Sequence, residues 1–326
     1  MTFSLRVRVA GLLIAALALP VHGAWAQAYP SKGTRFIVPY PPGGGADTLA
    51  RAVAQKLSEA WAQPVVIDNR PGAGGNIGSA IAAKSPPDGH SLLLATLGPM
   101  AINPTLYDKL PYDSIRDFAH ITQLANVPGI VVVHPSLPVK NVRELIAFAK
   151  ANPGKLRHAS AGLGGPSHLG AELFKSAAHV KMIHVPYKGA APALIDVMAG
   201  NVEVYFGNVV SVVPQVKSGR VRALGITSMR RTAVVPELPT LHEQGLKGFE
   251  TGSWFGVSAP AGTPREIVKR LHAEITRIIT LPEVRDRLAG EGAQFVGSTP
   301  DEFTQFVRAE IVKWGKVVKT SGAKAE

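Results

Sequence analysis

Phe36-Ile37-Val38-Pro39 is an apolar run followed by Gly43-Gly44-Gly45, and after the glycines Asp47-Thr48-Leu49-Ala50-Arg51-Ala52-Val53 repeats its apolar residues at helical spacing. A strand, a glycine turn and a helix start are therefore expected in that order. Three residues without Cβ let the backbone come close to a ligand, and the first N–H groups of a helix have no intrahelical partner, so the turn suits a carboxylate or a phosphate. Ser160-Ala161-Gly162-Leu163-Gly164-Gly165-Pro166-Ser167-His168 is a second stretch of this kind, placed after a short apolar run and before Leu169-Gly170-Ala171-Glu172-Leu173. Two such cradles can hold one acidic molecule between them.

The chain opens with Arg6 and Arg8, runs through the apolar stretch Val9 to Leu19, and reaches Ala24-Trp25-Ala26. That pattern predicts a secretory signal peptide over residues 1–26, with an apolar stretch too short to span a bilayer, and hence an exported, periplasmic protein. Cleavage after Ala26 leaves 300 of the 326 residues, about right for two domains of roughly 150 residues. It also lowers the formal charge from +12 to +10. The basic residues are scattered, so nucleic acid is not an expected partner, while a diffuse positive field favours anionic solutes. Cysteine is absent, which excludes disulfides, thiolate metal sites and cysteine nucleophiles.

Strand-like runs over Phe36–Val38, Val65–Ile67, Leu92–Ala95, Ile130–Val133, Val202–Phe206 and Ala223–Ile226 alternate with helix-like segments, which predicts parallel α/β architecture. Thr263-Pro264-Arg265-Glu266 and Thr299-Pro300-Asp301-Glu302 each read as a threonine N-cap, a proline at the first helical position and a glutamate two residues on. Asn141 with Glu144 is a third box. The helices they begin should bury Ile267, Leu271, Ile275 and Ile278 in one case, and Phe303, Phe306, Val307, Ile311 and Trp314 in the other. Extended segments bounded by glycine or proline, Ala125–Ile130 and Phe249–Val257, are the expected crossings between domains.

Catalytic equipment is missing from the pattern. The ten histidines include no metal-binding spacing, so neither a metal nor a cofactor is expected. Gly165-Pro166-Ser167-His168-Leu169 fails as a nucleophile elbow at its last position, and adjacent Ser167 and His168 point about 100° apart on a helix, so they cannot pair as nucleophile and base. Pro71-Gly72-Ala73-Gly74-Gly75-Asn76-Ile77-Gly78 misses the dinucleotide fingerprint at Ile77, and the first glycine turn lacks the Lys-Ser/Thr pair of a P-loop. Asp47 and Asn76 read as helix-cap groups as readily as ligand contacts. Lys188 reads as solvated, and Trp254 and Phe255 as core rather than an aromatic wall.

Pro39-Tyr40-Pro41-Pro42-Gly43-Gly44-Gly45-Ala46-Asp47, Asn69 to Gly75, Ser160 to His168, Val185-Pro186-Tyr187-Lys188-Gly189, Trp254-Phe255-Gly256 and Ala259 to Pro264 together resemble the Bug-type solute-binding proteins of tripartite tricarboxylate transporters. The resemblance covers nearly the whole mature chain. It implies a type II-like periplasmic binding protein fold: two α/β domains (27–126 with 250–326, and 127–249) joined by two crossing strands, closing like a Venus flytrap over an organic acid and delivering it to an integral membrane permease. Carried over by position, the resemblance implies that Tyr40, Gly43, Gly44, Gly45, Ala46 and Asp47 cover one carboxylate, with Asn76, Thr96 and Leu97 on the same wall. Ser160, Ala161, Gly165, Ser167 and His168 would close from the second domain, with Tyr187 and Asn208 at the far end. Gly165, Leu97 and Gly207 depart from the family pattern, each removing a polar side chain, which implies a roomier cleft suited to a bulkier or aromatic acid. The competing readings are an exported enzyme acting on small acids and a ligand-presenting sensor for a signalling receptor.

Overall fold

In the computed structural model the described residues are 29–324 apart from 44, 188, 290 and 291. The expected signal peptide, Gly44 and Lys188 lie outside them. The strands are β1 (Thr34–Val38), β2 (Val65–Asn69), β3 (Ser91–Thr96), β4 (Phe118–Val133), β5 (Arg157–Ser160), β6 (Ile183–Pro186), β7 (Val204–Asn208), β8 (Arg222–Ile226), β9 (Gly252–Pro260) and β10 (Gln294–Phe295). The helices are α1 (Gly45–Trp61), α2 (Asn76–Ala83), α3 (Asn103–Leu106), α4 (Val142–Ala151), α5 (Pro166–Ala178), α6 (Ala190–Met198), α7 (Val209–Lys217), α8 (Arg265–Thr280), α9 (Pro282–Ala289) and α10 (Pro300–Ser321).

Apolar β1 is covered by its neighbours β2 and β3, both parallel to it. On the far side β5 is flanked by parallel β6 and β7. Between these groups run two antiparallel strands, giving the order β2-β1-β3-β9-β4-β7-β5-β6, with β8 and β10 also paired to β4. The expectation of a parallel sheet is corrected to a mixed one, because both strands that join the two parallel groups run antiparallel to their neighbours.

β4 changes partner along its length. Phe118 to Pro128 pair with Pro260 to Gly252 of β9, whereas Gly129 to Val133 pair with Asn208 to Val204 of β7. The switch at Pro128-Gly129, opposite Gly252, falls inside the two segments expected to cross. The first lobe thus carries β1–β3 and the second β5–β7. One apolar cluster runs along the shared strands through both lobes, including Leu92, Leu94, Ile130, Val132 and Tyr205. A second lies under α10 around Phe303, Val307 and Trp314, and a third fills the second lobe around Val131, Phe174 and Phe206.

Local signals explain the ends of several elements. Thr299 caps α10 in a reciprocal box with Glu302, and Asn141 accepts from the Glu144 N–H at the start of α4. Thr263 is a correction: its hydroxyl donates to the Pro260 carbonyl at 2.8 Å, and α8 begins at Arg265 without a side-chain cap. Gly252 has φ 155°, and a Cβ there would stand 2.6 Å from the Val127 carbonyl oxygen. Backbone on the partner strand cannot yield as a side chain can. Gly252→Ala is therefore expected to destabilise the protein by roughly 1–3 kcal/mol, measured by chemical unfolding; wild-type stability would contradict this reading of the crossing.

Candidate functional site

Strands of both lobes deliver their carboxyl ends to one opening, the position where open α/β sheets present loops to ligands. A cavity of about 660 Å³ lies there. The first lobe lines it with Tyr40, Pro41, Pro42 and Gly43 after β1, Gly45 and Ala46 in the first turn of α1, and Thr96, Leu97 and Gly98 at the end of β3. The second lobe contributes Pro166, Ala190 and Asn208, and the crossing strand β9 adds Ser253, Trp254 and Phe255. A recess of about 170 Å³ shares Pro166, Ala190, Asn208 and Ser253 and extends to Ala161, Ser167, Tyr205, Ser211, Thr227 and Thr251.

Four helices begin on this space: α1 through Gly45 and Ala46, α5 through Pro166 and Ser167, α6 through Ala190, and α7 next to Asn208 and with Ser211. Each helix start carries unpaired N–H groups and the positive end of its macrodipole. Among the described lining residues of the cavity and its recess there is no lysine, arginine, aspartate or glutamate. Backbone dipoles, hydroxyls and one side-chain amide therefore set the polarity. Such an arrangement favours an anion while demanding no buried countercharge.

The structure brings together Tyr40, Gly43, Gly45, Ala46, Thr96, Leu97, Ala161, Ser167 and Asn208 from the expected set. The Tyr40 and Thr96 hydroxyls lie 3.0 Å apart in hydrogen-bond contact, which fixes the first wall. Asp47, Asn76, Ser160, Gly165, His168 and Tyr187 line neither space. Asp47, 3% exposed, accepts from the Gly43 N–H at 2.9 Å, Arg51 Nε at 2.8 Å and Asn69 Nδ2 at 3.0 Å, so its carboxylate braces the loop. Asn76 accepts from Asn103 Nδ2 at 2.6 Å and the Tyr112 hydroxyl at 2.8 Å. Ser160 bonds within its own loop and with His184, Gly165 caps α5 without lining the cavity, and the Tyr187 hydroxyl donates to Asp196 at 2.6 Å. His168 is buried, its Nδ1 accepting from the Gly164 N–H at 3.0 Å. The polar side chains of Asp47, Asn76, Ser160 and His168 are thus engaged by neighbouring protein groups.

Trp254 and Phe255, read as core, are both buried and lining. Trp254 Nε1 donates to Glu310 Oε2 at 3.1 Å, and Trp314 Nε1 donates to the same oxygen at 2.8 Å. Two neutral donors and Lys313 Nζ at 3.2 Å from the other oxygen satisfy the carboxylate, so α10 holds the indole at the cavity wall. Ser253, Thr227 and Thr251 escaped the sequence reading; the sole signals were the extended segment Phe249–Val257 for Thr251 and Ser253, and the end of the strand-like run Ala223–Ile226 for Thr227.

The fold and its cleft define a two-lobed solute-binding protein. The model of the tripartite tricarboxylate transporter family receptor, TctC, matches residues 49–323, and the chain belongs to that family. It is 38% identical over 319 residues to Protein BugT of Bordetella pertussis, covering 97% of each chain. Among solved structures it is similar to R. palustris Rpa4515 with adipate (TM-score 0.81, 38% identity, 91% of this chain and 99% of that one). It is also similar to MatC from Rhodopseudomonas palustris with bound malate (TM-score 0.76, 33% identity, 89% and 100%). The family is one of receptors, and this chain is a binding protein rather than an enzyme. No helix among the described residues is long and apolar enough to cross a membrane.

Burial alone would raise the Asp47 pKa, but the hydrogen bonds from Arg51, Gly43 and Asn69 outweigh it and hold the group at about 2. A depressed carboxyl stabilises the fold above its unfolded value of about 3.9, and that contribution is lost as pH falls toward the folded value. Asp47→Ala should cost roughly 1–3 kcal/mol at pH 7, because it leaves donors without an acceptor. The difference from wild type, measured by urea unfolding, should shrink at pH 3. An equal difference at both pH values would contradict the brace.

Proposed function

We propose that this receptor captures an organic carboxylate in the cleft between its lobes and presents it to the integral membrane subunits of a tripartite tricarboxylate transporter from the periplasm. The observation that carries this reading is the opening of four helix N-termini from two lobes onto one cavity whose described lining contains no charged side chain. The relatives with adipate and malate support the carboxylate class. Residues 27–126 with 250–326 form one domain and 127–249 the other, hinged at Pro128-Gly129 and Gly252. Closure is a population shift toward the state in which both lobes touch the solute.

The preferred ligand is an acid with a bulky or aromatic body. Leu97 takes a polar position of the family pattern, and Tyr40, Trp254 and Phe255 with three prolines give the walls an apolar face. Of the other two departures, Gly207 adds no room, since a Cβ there would meet Val212 and Tyr205, and Gly165 lies outside the lining. The inference therefore rests on Leu97 and the aromatic wall. Each methylene or ring edge placed against such a wall adds affinity in proportion to the apolar area buried, about 25 cal/mol per Å² at most.

Isothermal titration at pH 7.5 against malate, succinate, adipate, benzoate, 3-phenylpropionate and glutamate tests both levels. The expected order places adipate or the aromatic acids at least about tenfold ahead of malate and succinate. Preference for malate or succinate refutes the bulky-ligand reading, and absence of binding by every acid refutes carboxylate capture.

A further inference from the structure

Behind the second-lobe wall three histidines lie face to face. His184 of β6 stacks on His168 of α5 with ring centroids 3.9 Å apart and planes within 13°, and on His158 of β5 at 5.0 Å and 16°. Parallel rings cannot turn their in-plane nitrogen lone pairs toward one ion, and among the described residues no group of side chains is placed to hold a metal. The stack supports a loop instead. His168 Nδ1 accepts from the Gly164 N–H at 3.0 Å, and His184 Nε2 lies 2.6 Å from Ser160 Oγ. Between these anchors the loop supplies Ala161 to the recess, and Ser167 follows at the start of α5, its hydroxyl accepting from the Ala161 N–H at 2.9 Å. The loop tip touches the other lobe: a Cβ on Gly164, at φ 70°, would collide with Leu106 of α3.

We propose that His158, His184 and His168 form an uncharged stacked strut that positions the loop of residues 160–168, so that capture of the solute by the second lobe requires the strut to stay neutral. The proposal rests on the cleft being the solute site. His168 and His184 are positioning residues, since neither lines the cavity.

Chemistry enforces neutrality. An imidazolium has two N–H donors and no acceptor, so protonating His168 removes the acceptor for Gly164. Burial is the largest influence against the cation and, with the charges of neighbouring histidines and Lys175, outweighs the opposing pull of the Glu172 carboxylate; His168 is held down at about 4 and His184 at about 3. His158 is fully buried, neither of its nitrogens has a partner within hydrogen-bond distance among the described residues, and burial shifts it down against the pull of Glu172. The charged groups facing the stack are Glu172, whose Oε1 is 3.6 Å from both His158 Nε2 and His168 Nε2, and Lys175, 2.7 Å from that same oxygen. Lys316 of α10 faces Glu172 and Lys175 across a crevice, and Arg157 with Glu203 forms an ion pair beside His158 on β5. Groups with depressed basic pKa values leave the fold intact at neutral pH. Their support is lost as pH falls from about 6.5 toward the folded values.

The test has a ligand-free arm and a binding arm. In ¹⁵N-labelled protein without ligand, the amides of Ala161 and Gly164 should shift on the same curve as the His168 imidazole as pH is lowered from 7.5 to 4. Calorimetry at pH 7.5 with adipate as probe then compares two variants. His168→Ala, which removes the acceptor, should weaken binding about tenfold or more, and His168→Asn, whose Oδ1 can accept from Gly164, should recover to within about threefold of wild type. Loop amides that ignore the imidazole titration, an alanine variant with wild-type affinity, or an asparagine variant as weak as alanine would each overturn the strut. If His168→Ala does not fold, the asparagine variant and the ligand-free titration still decide. Failure of wild type to bind adipate or any other acid tested above counts against the capture reading and leaves the ligand-free arm to judge the strut.

Discussion

The antiparallel pairing of β4 with β9 is the constraint from which the rest follows. A parallel α/β unit presents its loops at the carboxyl ends of its strands, and two such units produce a cleft only if those ends face each other. The long shared strand achieves this by leaving one lobe at Pro128 and entering the other at Gly129, opposite the Gly252 that no side chain can replace without meeting backbone. The same two strands also carry a continuous apolar cluster through both lobes, so packing anchors the crossing on each side.

The cleft handles charge through the backbone. A lysine or arginine in the wall would bind an acid tightly but would need desolvation and a partner when the site is empty. Helix starts avoid that penalty, since their partial charges are fixed by the fold and partly solvated in the open form. The charged side chains near the site are spent on holding its frame. Asp47 braces the first loop, and Glu310 fixes the indole of Trp254 from the far side of the wall. The histidine strut plays the equivalent part beneath the second loop without any charge at all.

Much of this was legible in the residues. The helices that begin after the two glycine-rich stretches, the apolar strands and the Thr299 box each depend on local chemistry, and the structure shows each as expected. The first part of β4 was not legible, because its buried face carries His120, Thr122 and Gln123. His120 bonds with Ser258 and the Ser114 carbonyl, Thr122 donates to the Ser298 carbonyl 176 positions away, and Gln123 donates to Asn126. Polar residues whose burial depends on such partners look like loop in a linear reading. The same limit explains Asp47, Asn76, Tyr187 and His168: the sequence marks a polar group beside a glycine turn, but which way it points depends on partners such as Asn69, Asn103, Asp196 and Gly164. Three histidines separated by ten and sixteen positions gave no sign that β5, α5 and β6 would stack them.

The central claim is that backbone amides from opposing lobes meet on one anionic solute. Amide chemical-shift mapping of the protein with its tightest-binding acid reads those groups directly. The account predicts that the largest perturbations fall on both sides of the cleft, at Gly45 and Ala46 in one lobe and at Ser167, Ala190 and Ser211 in the other. Perturbations confined to a single lobe, or centred away from these helix starts, would contradict it.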